Sequence, residues 1–402
     1  MTPLTRRHRF RLRLLGVFLA VLVVAYARQL ITSPTAGQDF RVFYAAATLM
    51  AQGQDPYDWP SLAGAENSLY NTPAHLTPQS KDFYEFLAYP EGPWLAYALV
   101  PLTGLGWQAA FLIFILTVGL VIGASAWLLF RRSGWDPPLA RLGSAAAILF
   151  PIGFINLFMG QVGGLIFGAL VLSWTLLKRW PLAAGLVLTV IWIKPNIGLE
   201  LPFVLALLEP PAALRMLGGF ALGTAVAFGA ALLAMGSAFF EWPMQVPRMW
   251  AAVQGPQPDI ASIESFFYPG LSGWPKTAAL VAVLIAACVY GGWLLRRSTD
   301  PRTRALSVLL LWMSALPFVQ SYDMILLLPV VAVLLGRDLR GWSLPLVETT
   351  IWAFAVLPFA YFLGLRIGFF NGFTAIPVAL LLVAWHRHGL RAPDTRMAQV
   401  AA

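Results

Sequence analysis

The chain has 402 residues, 59% of them apolar and only 11% charged, where a soluble globular protein carries about a quarter charged residues, so the composition excludes a soluble domain and defines a polytopic membrane protein. A single Cys288, in the apolar stretch AACVYGG, excludes a disulfide framework and any multi-cysteine metal centre. The net charge of +9 raises a nucleic-acid partner, but the bases gather at the ends of apolar stretches rather than along one polar face, so membrane orientation accounts for them and no nucleic acid is expected.

In chain order, Arg6, Arg7, Arg9, Arg11 and Arg13 precede an uncharged run from Leu14 to Ala27. Ala25-Tyr26-Ala27 is like a signal-peptidase site. The run nevertheless continues through Leu30 and Ile31 to roughly the twenty residues a span needs, which favours a retained first helix over residues 1–31 with a cytoplasmic N-terminus. Between Ile31 and Glu91 lie seven of the 18 acidic residues (Asp39, Asp55, Asp58, Glu66, Asp82, Glu85, Glu91), with Arg41 and Lys81 as the only bases. By the positive-inside rule, residues 32–91 form an extracytoplasmic loop.

That loop opens GQDFRVFYAAATLMAQGQDPY. Phe40, Phe43, Tyr44 and Ala47 follow helical spacing, Gly53 is placed to end the helix, and Asp39 stands where an N-cap belongs. Two readings fit. In one, an interfacial helix capped by Asp39 lies along the outer leaflet; in the other, the carboxylate is kept ionised by the helix amides, faces a cavity and works as a general base.

Residues 92–385 read as a transmembrane bundle punctuated by basic turns, at Arg131, Arg132 and Arg141, at Lys178 and Arg179, at Arg215, at Arg296 to Arg304 and at Arg337 to Arg340. A cytoplasmic tail, 386–402, follows. Polar points fall between those turns on the opposite side: Asn156 to Gln161, Lys194 to Asn196, Ser237 to Ser272, Gln320 to Asp323 and Leu363 to Arg366. The count is twelve or thirteen crossings. It turns on residues 88–106, short and Pro-rich, which are either re-entrant or a crossing that breaks the charge rule at the Arg131 to Arg141 turn.

In FMGQVGGLIFG, Gly160, Gly164 and Gly168 recur every four residues, as on a close-packing face between membrane helices. Asn156 and Gln161 lie outside that explanation. Their amides suit either a hydroxyl-rich ligand or bonds between helices. In IWIKPNIGLELP, Pro195 breaks or restarts a helix, and Lys194 beside it either binds an anionic head group, snorkels, or is neutralised by Glu200. Tyr322 and Asp323 stand between two apolar runs, where Asp323 either caps the next helix or belongs to a site. The loop 237–272 adds Glu241, Arg248, Asp259 and Glu264 with Trp242, Trp250, Phe266, Phe267 and Tyr268: interface anchors, or a lid over a sugar or lipid phosphate.

The chain has neither a Walker A nor an HExxH sequence, and the four histidines (His8, His75, His386, His388) are too scattered, or too near the predicted cytoplasmic edges, for an obvious metal site. Asp39, Asp55 and Asp58 offer oxygen ligands for a divalent ion, but three scattered loop carboxylates are weak evidence for a site, so no metal is expected.

An arginine-rich start, one span, DFRVFYAAATLMAQGQDPY, YPEGPW, a GQ-plus-glycines helix, and LKRW followed by an apolar span ending IKPN together resemble glycosyltransferase family 87. The resemblance runs from about residue 1 to residue 335. It implies the GT-C fold: an all-α polytopic membrane protein with about 12–13 transmembrane helices and interfacial helices in the first extracytoplasmic loop. It further implies a polyprenyl phosphate sugar donor, a glycolipid or glycan acceptor and no cofactor. The expected location is a bacterial inner membrane with the active site extracytoplasmic. The family's catalytic base falls on Asp39, its GQ segment on Gly160 and Gln161, and its Lys-Pro segment on Lys194 and Pro195. Some members have a histidine in the late outer turn where this chain has Gln320-Ser321-Tyr322-Asp323. The resulting expectation is an inverting transfer of a hexose, mannose first, with Asp39 as base and Tyr44, Asn156, Gln161, Lys194, Arg248, Tyr322 and Asp323 binding substrate. The competing expectation is a flippase or transporter that moves a lipid-linked sugar without chemistry.

Overall fold

Proline and glycine decide where the apolar stretches of this chain break. The computed structural model describes residues 6–33, 36–69, 88–245, 248, 273–316, 319–338 and 376–389, and every regular element among them is helical. The first, α1 (Arg6–Thr32), runs unbroken past Ala27. Its Leu19, Leu22 and Tyr26 pack on Phe154 and Phe158, while Leu14, Val17, Val21, Val24 and Ile31 stay exposed. The same pattern recurs on α5 (Trp107–Arg132), where Leu112, Leu116 and Leu120 form an exposed stripe at helical spacing. An outward-facing apolar stripe is the inverse of a soluble helix and suits lipid.

Three of the described helices are long and apolar enough to cross a membrane: α5, the stretch Pro210–Gln245 containing α12 (Ala213–Met235), and α13 (Gly273–Arg297). The chain is therefore a multi-pass membrane protein. Other apolar stretches are broken. Between α6 (Pro137–Leu149) and α7 (Pro151–Met159), Phe150 is extended because Pro151 denies it the helical region, and the axis bends by 48°. Next, α8 (Gly163–Leu176) follows a turn at Gly160, whose φ of 76° is left-handed. A similar break follows α9 (Pro181–Leu188), where a 3-10 stretch Thr189–Ile193 stops at Lys194 and α10 (Pro195–Gly198) restarts on the proline, leading into α11 (Leu201–Leu208).

The helices alternate between two ends. Gly164 meets Val118 and Ile122, Gly168 meets Val121, and Arg132 donates to the Thr175 carbonyl, so α5 and α8 run parallel from Gln161 to the basic turns. The glycine face therefore consists of Gly164 and Gly168. Gly160 is not part of it, because it terminates α7 and packs against Phe40 and Phe111.

The stretch 88–106 forms only α4 (Pro93–Leu99) and a 3-10 turn, Val100–Leu102. Ten residues reach about 15 Å, half the apolar layer. Its start is bonded to Ile193 through the Gly92 amide and its end lies by Trp107, over which Arg41 stacks at 4.4 Å. Both ends thus lie at the same end of the bundle, as in the re-entrant alternative, and the Arg131 to Arg141 turn stays with the other basic turns.

Candidate functional site

The residues of α2 (Gln38–Ala51) are almost all apolar or small, and Phe40, Val42, Phe43, Tyr44, Ala45, Ala46, Ala47 and Leu49 are all buried. The helix is enclosed by its neighbours along most of its length. Its N-cap is Gly37, left-handed at φ 71°, so Asp39 is not the cap expected from the sequence. Instead it lies in the first turn, where the unpaired amides still favour its charge. At the other end the helix stops at Ala51, with Gly53 in the left-handed conformation just beyond.

Across from Asp39 is the Gly160–Gly163 turn, where Gln161 Nε2 donates to Asp39 Oδ2 at 2.5 Å. Gln161 Oε1 is buried and has no hydrogen-bond partner. Asn156 holds this turn together. Its Oδ1 accepts from the Gly164 amide at 3.0 Å, and its Nδ2 donates to the carbonyls of Ile152 at 2.9 Å and Tyr322 at 2.8 Å. A β-carbon on Gly163 would lie 2.9 Å from Asn156 Oδ1 and 3.6 Å from Asp323 Oδ1, so glycine is needed where the two loops touch. With both amide groups engaged inside the protein, Asn156 braces the site and is not turned toward a ligand.

Lys194 Nζ reaches Asp323 Oδ1 at 2.8 Å and Oδ2 at 3.1 Å, and stands 4.5 Å from the centre of the Tyr322 ring. Its partner is therefore Asp323, 129 positions away, and not Glu200. The two carboxylate oxygens of Glu200 are buried without a hydrogen bond. Asp323 also accepts from the Gln320 amide at 3.1 Å, completing a capping box at the start of the 3-10 helix Ser321–Leu327. The capping reading of this turn is realised, and the same carboxylate holds Lys194.

Glu91 completes the cluster and was not among the expected site residues. It is buried, Oε2 has no hydrogen-bond partner, and Lys194, Asp39 and Asp323 all act on it electrostatically. Burial pushes its carboxyl up to about 8, against the opposing pull of Lys194. Its signal in the sequence was an acid set between Pro90 and Gly92 in an otherwise apolar, turn-forming stretch.

Two expected residues lie elsewhere. The Tyr44 hydroxyl bonds the carbonyls of Thr103 and Leu105, tying α2 to the turn before α5. Arg248 is half exposed, pairs with Glu241 at 2.5 Å and acts on Asp55. Trp242 donates to the Pro90 carbonyl at 3.1 Å and joins Trp94, Phe228 and Phe239 in an aromatic cluster. Asp259, Glu264, Trp250, Phe266, Phe267, Tyr268 and the 363–366 turn lie outside the described residues. Among the described residues, no three His, Cys, Asp or Glu side chains are grouped for a metal ion. Asp58 caps α3 (Trp59–Asn67) through Ser61, and Asp55 accepts from the Tyr57 amide.

Fold and cluster together define a multi-pass membrane protein with a buried, charged site at one end of its helices. The chain belongs to glycosyltransferase family 87, whose model matches residues 86–321, and it is a glycosyltransferase in that sense. No curated protein and no solved structure matches it. The matched stretch includes Glu91, Asn156, Gln161, Lys194 and Arg248; Asp39 and Tyr44 precede it, and Tyr322 and Asp323 follow it.

Proposed function

We propose that this glycosyltransferase is of the GT-C type and moves a hexose such as mannose from a polyprenyl phosphate to a hydroxyl of a glycolipid or glycan, at the extracytoplasmic side of a bacterial inner membrane. The observation that carries the reading is the Asp39 carboxylate, fixed by Gln161 at the start of α2 and linked through the Gly160–Gly163 turn to Asp323 and its partner Lys194. Asp39 takes the proton of the acceptor hydroxyl as its oxygen bonds to the anomeric carbon. The bond from that carbon to the phosphate oxygen breaks in the same displacement, and the centre inverts. Gln161 holds the base in line, and its free Oε1 accepts from a sugar hydroxyl. Lys194 donates to Asp323 and, at 3.5 Å, to Gln320 Oε1, and its positive charge stabilises the phosphate as the donor bond breaks.

The side is argued from charge. Asp39, Glu91, Gln161 and Lys194 share one end of the helices, and Arg132, Lys178 and Arg179 belong to the turns at the other. The reaction as written needs no metal, and activity retained in excess chelator is the corresponding expectation.

The test is incubation of purified protein with a panel of radiolabelled polyprenyl phosphate sugars and membrane lipid extract. A new labelled glycolipid or glycan, absent with Asp39→Asn, is the expected result. Redistribution of the donor between leaflets with no new glycosidic bond would instead identify a flippase.

A further inference from the structure

Glu91 is a buried carboxyl that the reaction above leaves without a task. A buried acid kept for packing alone finds partners, because an unsatisfied carboxyl oxygen in a dry site is costly. Oε2 of Glu91 has none. Both carboxyl oxygens of Glu200 are buried without a partner as well, but the residue after Glu91 is bonded to the Ile193 carbonyl, one position before Lys194, and Lys194, Asp39 and Asp323 act on Glu91 electrostatically.

The backbone around Glu91 is clamped. Trp242 donates to the Pro90 carbonyl at 3.1 Å, Tyr57 to the Glu91 carbonyl at 3.0 Å and Tyr89 to the Gly92 carbonyl at 2.8 Å. The Gly92 amide donates to the Ile193 carbonyl at 2.9 Å, one residue before Lys194, and a β-carbon on Gly92 would lie 2.4 Å from the Trp192 carbonyl oxygen. Three consecutive carbonyls and one amide are therefore fixed, which holds the backbone of Glu91 next to the Ile193-Lys194 segment.

Charge decides what it does there. Lys194 is committed to Asp323, so the fixed charges of Lys194, Asp323 and Asp39 leave the site net negative before any phosphate arrives. A third ionised carboxylate would repel the donor, whereas a carboxylic acid donates to it.

We propose that Glu91 is the general acid of this site and gives its proton to the phosphate oxygen released as the sugar leaves. The proposal rests on the transferase reading above. As the bond between the anomeric carbon and the phosphate oxygen breaks, that oxygen takes the electron pair and the Glu91 proton, and the product leaves as a singly protonated phosphate monoester. Glu91 is then a carboxylate, Asp39 holds the acceptor's proton, and exchange with water restores both. The raised carboxyl agrees with this role.

Glu91→Gln keeps the shape but has no proton to give. Its kcat should fall by about 100-fold, within the range for loss of general acid catalysis. The KM for the donor should hardly move, which separates the role from simple binding. In the wild type, kcat/KM should fall as pH rises through about 8, and Glu91→Gln should lack that limb. Thermal unfolding gives a readout independent of activity. A folded-state carboxyl raised above its unfolded value stabilises most at low pH, so the wild type should lose melting temperature relative to Glu91→Gln as pH rises toward about 8. If Glu91→Gln does not fold, Glu91→Asp carries the test, since it keeps an acid and should move the alkaline limb. Transfer by Glu91→Gln at the wild-type rate with the same limb, or an unmoved limb in Glu91→Asp, overturns the acid and leaves the transferase standing. A wild type that forms no glycosidic bond with any donor overturns both.

Discussion

Two lysines of this chain end apolar stretches and each meets a carboxylate, yet their surroundings have little in common. Lys194 lies 2.8 Å from Asp323 with the two side chains 9% and 0% exposed, whereas Lys178 lies 3.5 Å from Glu209 with side chains 82% and 26% exposed. The exposed pair is screened by water and belongs with Arg132 and Arg179 around one cavity at the basic end. The buried pair gives up the hydration of two charges, a penalty its attraction repays only with good geometry and further hydrogen bonds. Those are present, from the Gln320 amide to Asp323 and from Lys194 Nζ to Gln320 Oε1, and Lys194 also lies over the Tyr322 ring. A pair kept in spite of that penalty is a candidate for function by default and supports the proposed site, while the exposed pair fits a basic turn at the other end of the helices.

The largest effect expected at the buried end belongs to the proposed base, Asp39. Asp39→Asn keeps a hydrogen-bonding partner for Gln161 but cannot take a proton, so transfer should fall by about 100-fold to 10,000-fold with the protein still inserted and folded. Radiolabel transfer measured beside size-exclusion behaviour checks it. Near-normal activity would mean the buried end is not the reacting end.

The ion pair comes next. Lys194→Met leaves Asp323 buried and uncompensated and should destabilise the fold by about 3–5 kcal/mol, read from thermal unfolding in detergent. Combining it with Asp323→Leu should recover most of that stability and none of the activity. A single Lys194→Met that unfolds no earlier than wild type would put the two lysines in the same class and break the comparison.

Asn156 ranks below the pair, because it bears no charge. Asn156→Ala removes three hydrogen bonds at once, leaving the Gly164 amide and the Tyr322 carbonyl without this partner, and should cost about 1–3 kcal/mol. Its activity should fall through the displaced Gln161 and Asp323 turns, so a raised KM with intact folding at low temperature is the expected pattern.

That bracing role shows what was legible in the sequence and what was not. The break at Lys194-Pro195 and the end of α2 at Gly53 are local consequences of a ring or a missing β-carbon, and short motifs carry them. The pairing of Lys194 was not legible, since Glu200 is six positions away and Asp323 is 129, and only the docking of the 3-10 helix onto α7 and α8 brings the distant acid to the lysine. Gly160 fitted a four-residue repeat with Gly164 and Gly168, but Gly160 ends α7 and α8 begins only at Gly163, so the repeat crosses two elements. Glu91 was one acid among seven in its stretch, marked out by its place between Pro90 and Gly92. Its place beside Lys194 comes from the Gly92 to Ile193 bond, which no spacing rule encodes.

The smallest expected effect tests the other side of the comparison. Lys178→Ala removes the partner of Glu209 in a setting where both groups reach water, so stability should change by at most about 1 kcal/mol. The remaining Arg179 and Arg132 keep the turn basic, so orientation in the membrane should hold and transfer should match the wild type. Raising the salt concentration should erase what little difference remains, because a screened pair weakens with ionic strength while the buried pair does not. Equal salt sensitivity of the melting temperature in Lys178→Ala and Lys194→Met would show that water reaches Lys194 as freely as Lys178, and the charge argument for the site would fail at its first step.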